Sequence, residues 1–317
     1  MKRIFLVVLL FLATNYKVVA QFDALFTQYG QMMNYYNPAV AGSTDFMRLN
    51  VAAKMQWLGF KNAPIGFLVN GEMPLKFFGR KHGVGLSLFS EGLGLFDNLT
   101  LGGQYAYQLK LWGGTLGIGV QPGFFSQTFD GTKAVPPEGE GGSKDDEAIP
   151  TTKVDAMAFD MNMGVFYNSP TIYGGMSVMH LSEPSIKLTN KYGTFIARSY
   201  YLTLGYNIRF KESLFELHPS AFLKTTFQFY ALDVQAKLVY NKMFWGGLNW
   251  RMNMRNDAVS LFLGAKFGNI KFGYAYDLPI SMVLKGSSGS HEVFLSYEMD
   301  VSTPKGTKNK HKSIRIL

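Results

Sequence analysis

Cysteine is absent from the 317-residue sequence, which removes a disulfide scaffold, a thiolate zinc site and an acylated N-terminal cysteine from consideration. Charge is scarce as well. Asp, Glu, Lys and Arg together make 17% of the chain, against about 25% in an average soluble domain. That argues against a Lys/Glu-rich helical bundle, and a hydrophobic content of 47% excludes intrinsic disorder. After the N-terminus no run approaches the roughly 20 apolar residues that an α-helix needs to cross a bilayer. What the chain does have is 27 Phe, 17 Tyr and 34 Gly, with a net charge of +9. Two classes remain, a large soluble β protein and a transmembrane β-barrel, and the length is compatible with one barrel domain.

The N-terminus reads as an export signal. Lys2 and Arg3 precede an apolar stretch from Ile4 to Ala13, and Val18-Val19-Ala20 supplies small residues at a cleavage position. Cleavage after Ala20 is expected, with Gln21 as the mature start and residues 1–20 as the signal peptide.

The decisive pattern is alternation with period two, which sorts side chains onto the two faces of a strand. Leu99, Leu101, Gly103, Tyr105, Tyr107, Leu109 and Leu111 alternate with Thr100, Gly102, Gln104, Ala106, Gln108 and Lys110. Leu232, Val234, Ala236, Leu238 and Tyr240 alternate with Asp233, Gln235, Lys237 and Val239. The segments from Tyr200 and from Ile270 repeat the pattern. Their length suits the 9–11 residues of a tilted membrane-crossing strand.

Turn signals divide the chain into about fourteen such segments, an even number as outer-membrane barrels require. They begin near Asp45, Ile65, His82, Asn98, Gly114, Ala156, Thr171, Phe195, Leu214, Phe227, Met243, Asp257, Asn269 and Ser290. Connections after even segments are tight, as at Trp112-Gly113, Asn241-Lys242 and Gly268-Asn269. Those after odd segments are longer, including Ser90–Asp97, Asp130–Asp155, Glu183–Thr194 and Ile280–Gly289. Short periplasmic turns and long outer loops are the habit of this barrel class, so both termini are expected in the periplasm. Trp57, Phe60, Tyr173, Phe244 and Trp245 near strand ends are expected to form interfacial girdles. Gly102, Gly117, Gly119, Gly205, Gly264 and Gly273 on the polar face leave room for a plug, a narrow cavity or tight curvature.

Ahead of the first strand, Phe26-Thr27-Gln28-Tyr29 leads to Tyr36-Asn37-Pro38-Ala39-Val40-Ala41-Gly42-Ser43. Asn-Pro and Ala-Gly-Ser are turn chemistry, yet the Met- and Tyr-rich surroundings need a place to pack. Residues 21–44 are therefore expected to form a short plug in the periplasmic mouth, followed by a barrel over 45–300 and a basic tail over 301–317. Further along stand Gln56-Trp57, Ala63-Pro64, Gly273-Tyr274-Ala275-Tyr276-Asp277 and Gly289-Ser290-His291-Glu292.

In this order the motifs resemble the PorP/SprF family, outer-membrane proteins of the type IX secretion and gliding machinery of Bacteroidetes, over essentially the whole mature chain. The family more often has an aromatic residue at the position of Val40, and many members stop soon after the last strand. The resemblance implies an outer-membrane barrel associated with periplasmic ring proteins PorK and PorN and a peptidoglycan-binding partner such as PorE. It also implies a role in protein export or adhesin secretion, and it supplies no catalytic residue.

The candidate partner-binding residues are Gln28, Tyr29, Asn37 and Pro38 in the lead-in segment and Lys305, Lys308, Lys310, Lys312 and Arg315 in the tail. The tail cations have no acid among them, a pattern of solvated tails and of arms that dock on acidic partners. The loop carrying Glu138, Glu140, Asp145, Asp146 and Glu147 lacks calcium-loop spacing and reads as a solvated surface loop. The five histidines include no zinc-binding pair. Ser290, His291 and Glu292 are sequence neighbours, which on a strand face opposite ways, so a hydrolase reading is weak. No cofactor, metal, nucleic-acid partner or enzymatic activity is expected. The alternative to a secretion component is a channel for small solutes or lipids.

Overall fold

The structure is a computed structural model that describes residues 23–133, 150, 152–188, 193–211, 213–253 and 257–301. Alternating sequences form long antiparallel strands: β1 (Phe46–Met55), β2 (Ile65–Phe77), β3 (Arg80–Leu93), β4 (Phe96–Leu111), β5 (Gly114–Asp130), β6 (Lys153–Asn168) and β7 (Ile172–Met179). A small hairpin, β8 (Ser185–Lys187) and β9 (Gly193–Phe195), leads to β10 (Ser199–Tyr206), which β11 (Ile208–Arg209) continues past Asn207. The wall is completed by β12 (Phe215–Thr225), β13 (Tyr230–Tyr240), β14 (Phe244–Asn253), β15 (Ala258–Phe267), β16 (Ile270–Pro279) and β17 (Ser290–Asp300). β1 pairs with β17 and β10 with β12, so the sheet closes into a 14-strand barrel with no free edge. Closure satisfies the backbone without water, the condition for strands to sit in hydrocarbon. Among the described residues no helix is long and apolar enough to cross a membrane.

The faces sort as the alternation predicts, with polarity inverted relative to a soluble protein. Phe67, Leu86, Ile118, Leu204, Leu248, Leu261 and Leu295 are exposed, whereas Asn50, Asn70, Gln104, Asp233, Gln235 and Ser296 are buried. The apolar face is the lipid-facing belt, and the polar face lines a filled lumen.

One end of the barrel carries tight turns. At Phe78-Gly79, Trp112-Gly113 and Asn241-Lys242 both residues have positive φ, the type I′ geometry that matches strand twist. The opposite end carries the longer connections, with one correction. The expected loop Ser90–Asp97 is instead strand, because β3 runs to Leu93 and β4 starts at Phe96, and Gly94 at φ 65° closes a tight hairpin. The strand expected from Phe195 starts at Ser199, the residues before it forming the β8–β9 hairpin, which buries Ile186 and Ile196 against Phe125.

Three expected girdle residues also differ. Trp245 is buried in the lumen, Tyr173 packs against the inner core and Trp57 lines a cavity, while Phe60 and Phe244 are exposed. Adjacent residues on a strand face opposite ways, so Phe244 and Trp245 cannot both meet lipid. Phe78 and Trp112, at 95% and 84% exposure on the tight turns, are the aromatic side chains placed outermost at that end.

Candidate functional site: the filled lumen

Residues 23–43 run through the barrel interior from the long-loop end to the short-turn end, where the chain enters β1. The plug therefore reaches much further than the mouth. Its apolar residues Phe26, Tyr29, Met32, Tyr35 and Tyr36 are at most 3% exposed and pack on Phe89, Tyr201, Phe222 and Trp245 of the wall. Full burial of one such side chain contributes roughly 1.5–3 kcal/mol, so the lumen holds a true core.

At the long-loop end Asp23 is the anchor. Its carboxylate accepts from Tyr201 Oη at 2.6 Å and lies 3.1 Å from Lys224 Nζ and 2.9 Å from His180 Nε2. The other His180 nitrogen, Nδ1, meets Asp160 Oδ2 at 2.6 Å. His180 follows the last residue of β7, and two carboxylates flank its ring. Burial pushes its pKa down, but Asp23 and Asp160 outweigh burial and raise it to about 9.

Next comes a charged layer. Lys54 Nζ lies 2.9 Å from Asp277 Oδ2 and 3.8 Å from Glu292 Oε2, and it donates to the Leu25 carbonyl. Arg251 bridges Asp233, at 2.9 Å, and Asp277, at 3.4 Å. Glu292 accepts from the backbone N–H groups of Thr27 and Gln28 at 2.6 and 3.1 Å, and the Thr27 hydroxyl donates to Asp277. The wall thus clamps the plug backbone with charge-assisted hydrogen bonds, the strong kind.

Gln28 accepts from Trp245 Nε1 at 3.0 Å. Tyr29 stacks on Phe222 with centroids 4.8 Å apart and meets Ser220 Oγ at 2.6 Å. Below them α1 (Met33–Tyr36) makes one helical turn and a 3-10 turn covers Pro38–Val40. Asn37 caps that turn, its Oδ1 accepting from Ala39 N at 3.0 Å with Pro38 in the first position, an arrangement both residue types favour. Its Nδ2 donates to the Val165 and Met176 carbonyls. Gln108 donates to the carbonyls of Ala39 and Ala41 at 3.0 and 2.7 Å.

Here the wall is hollowed to backbone. A Cβ on Gly117 or Gly119 would stand 2.2 or 2.4 Å from atoms of Ala39, closer than any side chain tolerates. Gly102, Gly205, Gly264 and Gly273 instead make room for side chains, namely Gln121, Tyr173, Trp245 and Phe294 of the wall, with the Gln28 amide also close to Gly273.

All four lead-in candidates, Gln28, Tyr29, Asn37 and Pro38, are thus brought together inside the barrel, buried and engaged by its wall. They form no outward surface here. Lys305, Lys308, Lys310, Lys312 and Arg315 lie outside the described residues, as do the signal segment and the acidic loop 134–149. Asp23 and Asp300 stand at opposite ends of the barrel. Ser290 and Glu292 face inward and His291 is half-buried against Tyr274, 2.7 Å from its hydroxyl, so these neighbours do not converge. Sequence reasoning missed Asp23, Lys54, His180, Lys224, Arg251 and Glu292 as a cluster. Charged residues at inward positions of apolar-alternating strands were the available signal.

The fold is similar to that of a deletion mutant of the TodX monoaromatic hydrocarbon channel, at 10% identity and a TM-score of 0.50, over 83% of this chain and 93% of that one. The Ralstonia pickettii toluene transporter TbuX is 10% identical, with a TM-score of 0.48, over 86% of this chain and 93% of its own. Omp33 of Acinetobacter baumannii is 7% identical, with a TM-score of 0.45, over 81% of this chain and all of its own. No curated protein matches the sequence significantly. The model of the type IX secretion system membrane protein PorP/SprF family matches residues 18–297, nearly the whole chain, and the protein belongs to that family.

Proposed function

We propose that this protein is an outer-membrane component of the type IX secretion machinery that works as a closed anchor for periplasmic ring proteins of the PorK/PorN type and a PorE-type peptidoglycan-binding partner. In this reading the short-turn end, Asp300 at the end of the last strand and the basic tail beyond it face the periplasm. One observation favours an anchor over a solute or lipid channel. The lumen is occupied along its length by residues 23–43, fixed to the wall by buried ion pairs and stacked rings.

Two measurements on wild-type protein test the proposal. Purified barrel in planar bilayers is expected to show no sustained conductance, and affinity purification from outer membranes is expected to bring ring proteins with it. A steady ohmic conductance of porin size, with no such co-purification, would establish the channel reading instead.

A further inference from the structure

A cavity of about 240 Å³ opens at the long-loop end of the lumen between the first plug residues and strands β1, β3, β14, β16 and β17. One side is apolar, with Leu25, Trp57, Pro64 and Leu93. The other carries Glu91, only 7% exposed, beside Asp23, Asp277, Lys54 and Arg251, which are already engaged in ion pairs. The Glu91 carboxylate makes no hydrogen bond or ion pair among the described residues. It feels Asp23, Lys224 and Lys54 through space, but both lysines are bonded elsewhere.

The surrounding charge is unbalanced. Six carboxylates meet around the start of the plug (Asp23, Glu91, Asp160, Asp233, Asp277 and Glu292), against the fixed cations Lys54, Lys224 and Arg251. Counting His180 as a cation still leaves negative charge in excess. A buried carboxylate without a partner is costly, and a cation in the cavity offsets that cost. Among the described residues no three metal-ligating side chains converge. One unpaired carboxylate, among charged groups that are already paired and beside an apolar wall, suits an organic ammonium better than a metal ion.

We propose that this cavity binds a primary ammonium group carried on an apolar body, with Glu91 as its counter-ion and Trp57, Leu25 and Leu93 as the apolar wall. The ammonium has two possible sources with the same chemistry. One is a free amphiphilic amine reaching the mouth. The other is the chain's own α-ammonium at Gln21, just ahead of Asp23, which cleavage after Ala20 would create.

The test uses the mature full-length barrel in detergent, titrated calorimetrically with phenethylamine and with its uncharged analogue phenethyl alcohol. In parallel, reductive methylation of the α-amino group is followed by mass spectrometry. An external source predicts saturable phenethylamine binding that falls at least tenfold for the alcohol and for Glu91→Gln, with Glu91→Asp retaining part of it. An internal source predicts no amine binding, with a terminus protected from methylation in wild type and reactive in Glu91→Gln. The amine–alcohol comparison needs no variant, so it holds even if Glu91→Gln fails to fold. The proposal is overturned if amine and alcohol bind equally, if Glu91→Gln binds as wild type, or if amine binding is absent while the terminus is freely reactive or chemically blocked.

Discussion

Replacing Lys54 by methionine probes whether the charged layer holds the plug. Methionine keeps most of the apolar stem and removes only the ammonium. In the wild-type protein the Lys54 side chain is 4% exposed, and its ammonium lies 2.9 Å from Asp277 and 3.8 Å from Glu292 and is bonded to the Leu25 carbonyl of the plug. Two effects compete. Losing a buried cation removes its own desolvation cost, but it leaves two buried carboxylates with less compensation. Arg251 reaches Asp277 only at 3.4 Å, and carboxylates already outnumber cations in this layer, so the second effect wins. Removing one partner of a buried pair costs about 3–5 kcal/mol, whereas an exposed pair would cost about 0–1 kcal/mol.

The assay is urea unfolding in detergent, read by the gel mobility of the folded barrel and by far-UV dichroism. Lys54→Met is expected to lower stability by about 3 kcal/mol or more. Adding Asp277→Asn should recover part of that loss, with a coupling of about 0.5–3 kcal/mol. A single variant within about 0.5 kcal/mol of wild type, the scatter expected for an uninvolved surface site, would refute the reasoning. So would strict additivity of the pair.

Gly119→Val should push the Pro38–Val40 turn off the wall, because the neighbour of the new Cβ is plug backbone that cannot rotate away; new conductance events or protease cleavage within the plug would report it, and wild-type behaviour would contradict it. Leu263→Arg, on a lipid-facing residue midway along β15 that is 50% exposed, should cost about 2–4 kcal/mol in lipid vesicles, against a much smaller loss for Leu263→Ala. His180 has a raised folded-state pKa, so its contribution is complete below about 6.5, the ordinary value, and is lost as pH rises through about 9. Thermal midpoints should fall across that window in wild type by more than in His180→Asn, and parallel curves would remove His180 from the account.

Much of the barrel was legible because the alternation is strict where one face meets lipid. Leu232–Tyr240 and Ile270–Leu278 sorted correctly, since a one-residue slip would place Asp233 or Asp277 in hydrocarbon. The tight turns were legible through Gly and Asn. The β3–β4 hairpin was not, because one glycine in an apolar stretch gave no sign that the strands continue to Leu93 and from Phe96. The charged layer stayed hidden for another reason. Lys54, Arg251, Asp277 and Glu292 lie far apart in sequence, and only strand register and closure bring them to one height. The plug has no period at all, so its composition announced burial without giving a path. Trp245 and Tyr173 face inward because strand parity, and not aromatic type, decides which side of the wall a residue meets.

The hollows at Gly117 and Gly119 bear on how the molecule is built. Wall and filling fit at the level of main chain. The N-terminal segment is thus positioned to act as a mandrel around which the sheet curls, with the seam between the first and last strands fastening afterwards. A hollow intermediate would expose opposed charges and bare backbone to one another across water, and assembly through it would be correspondingly slow.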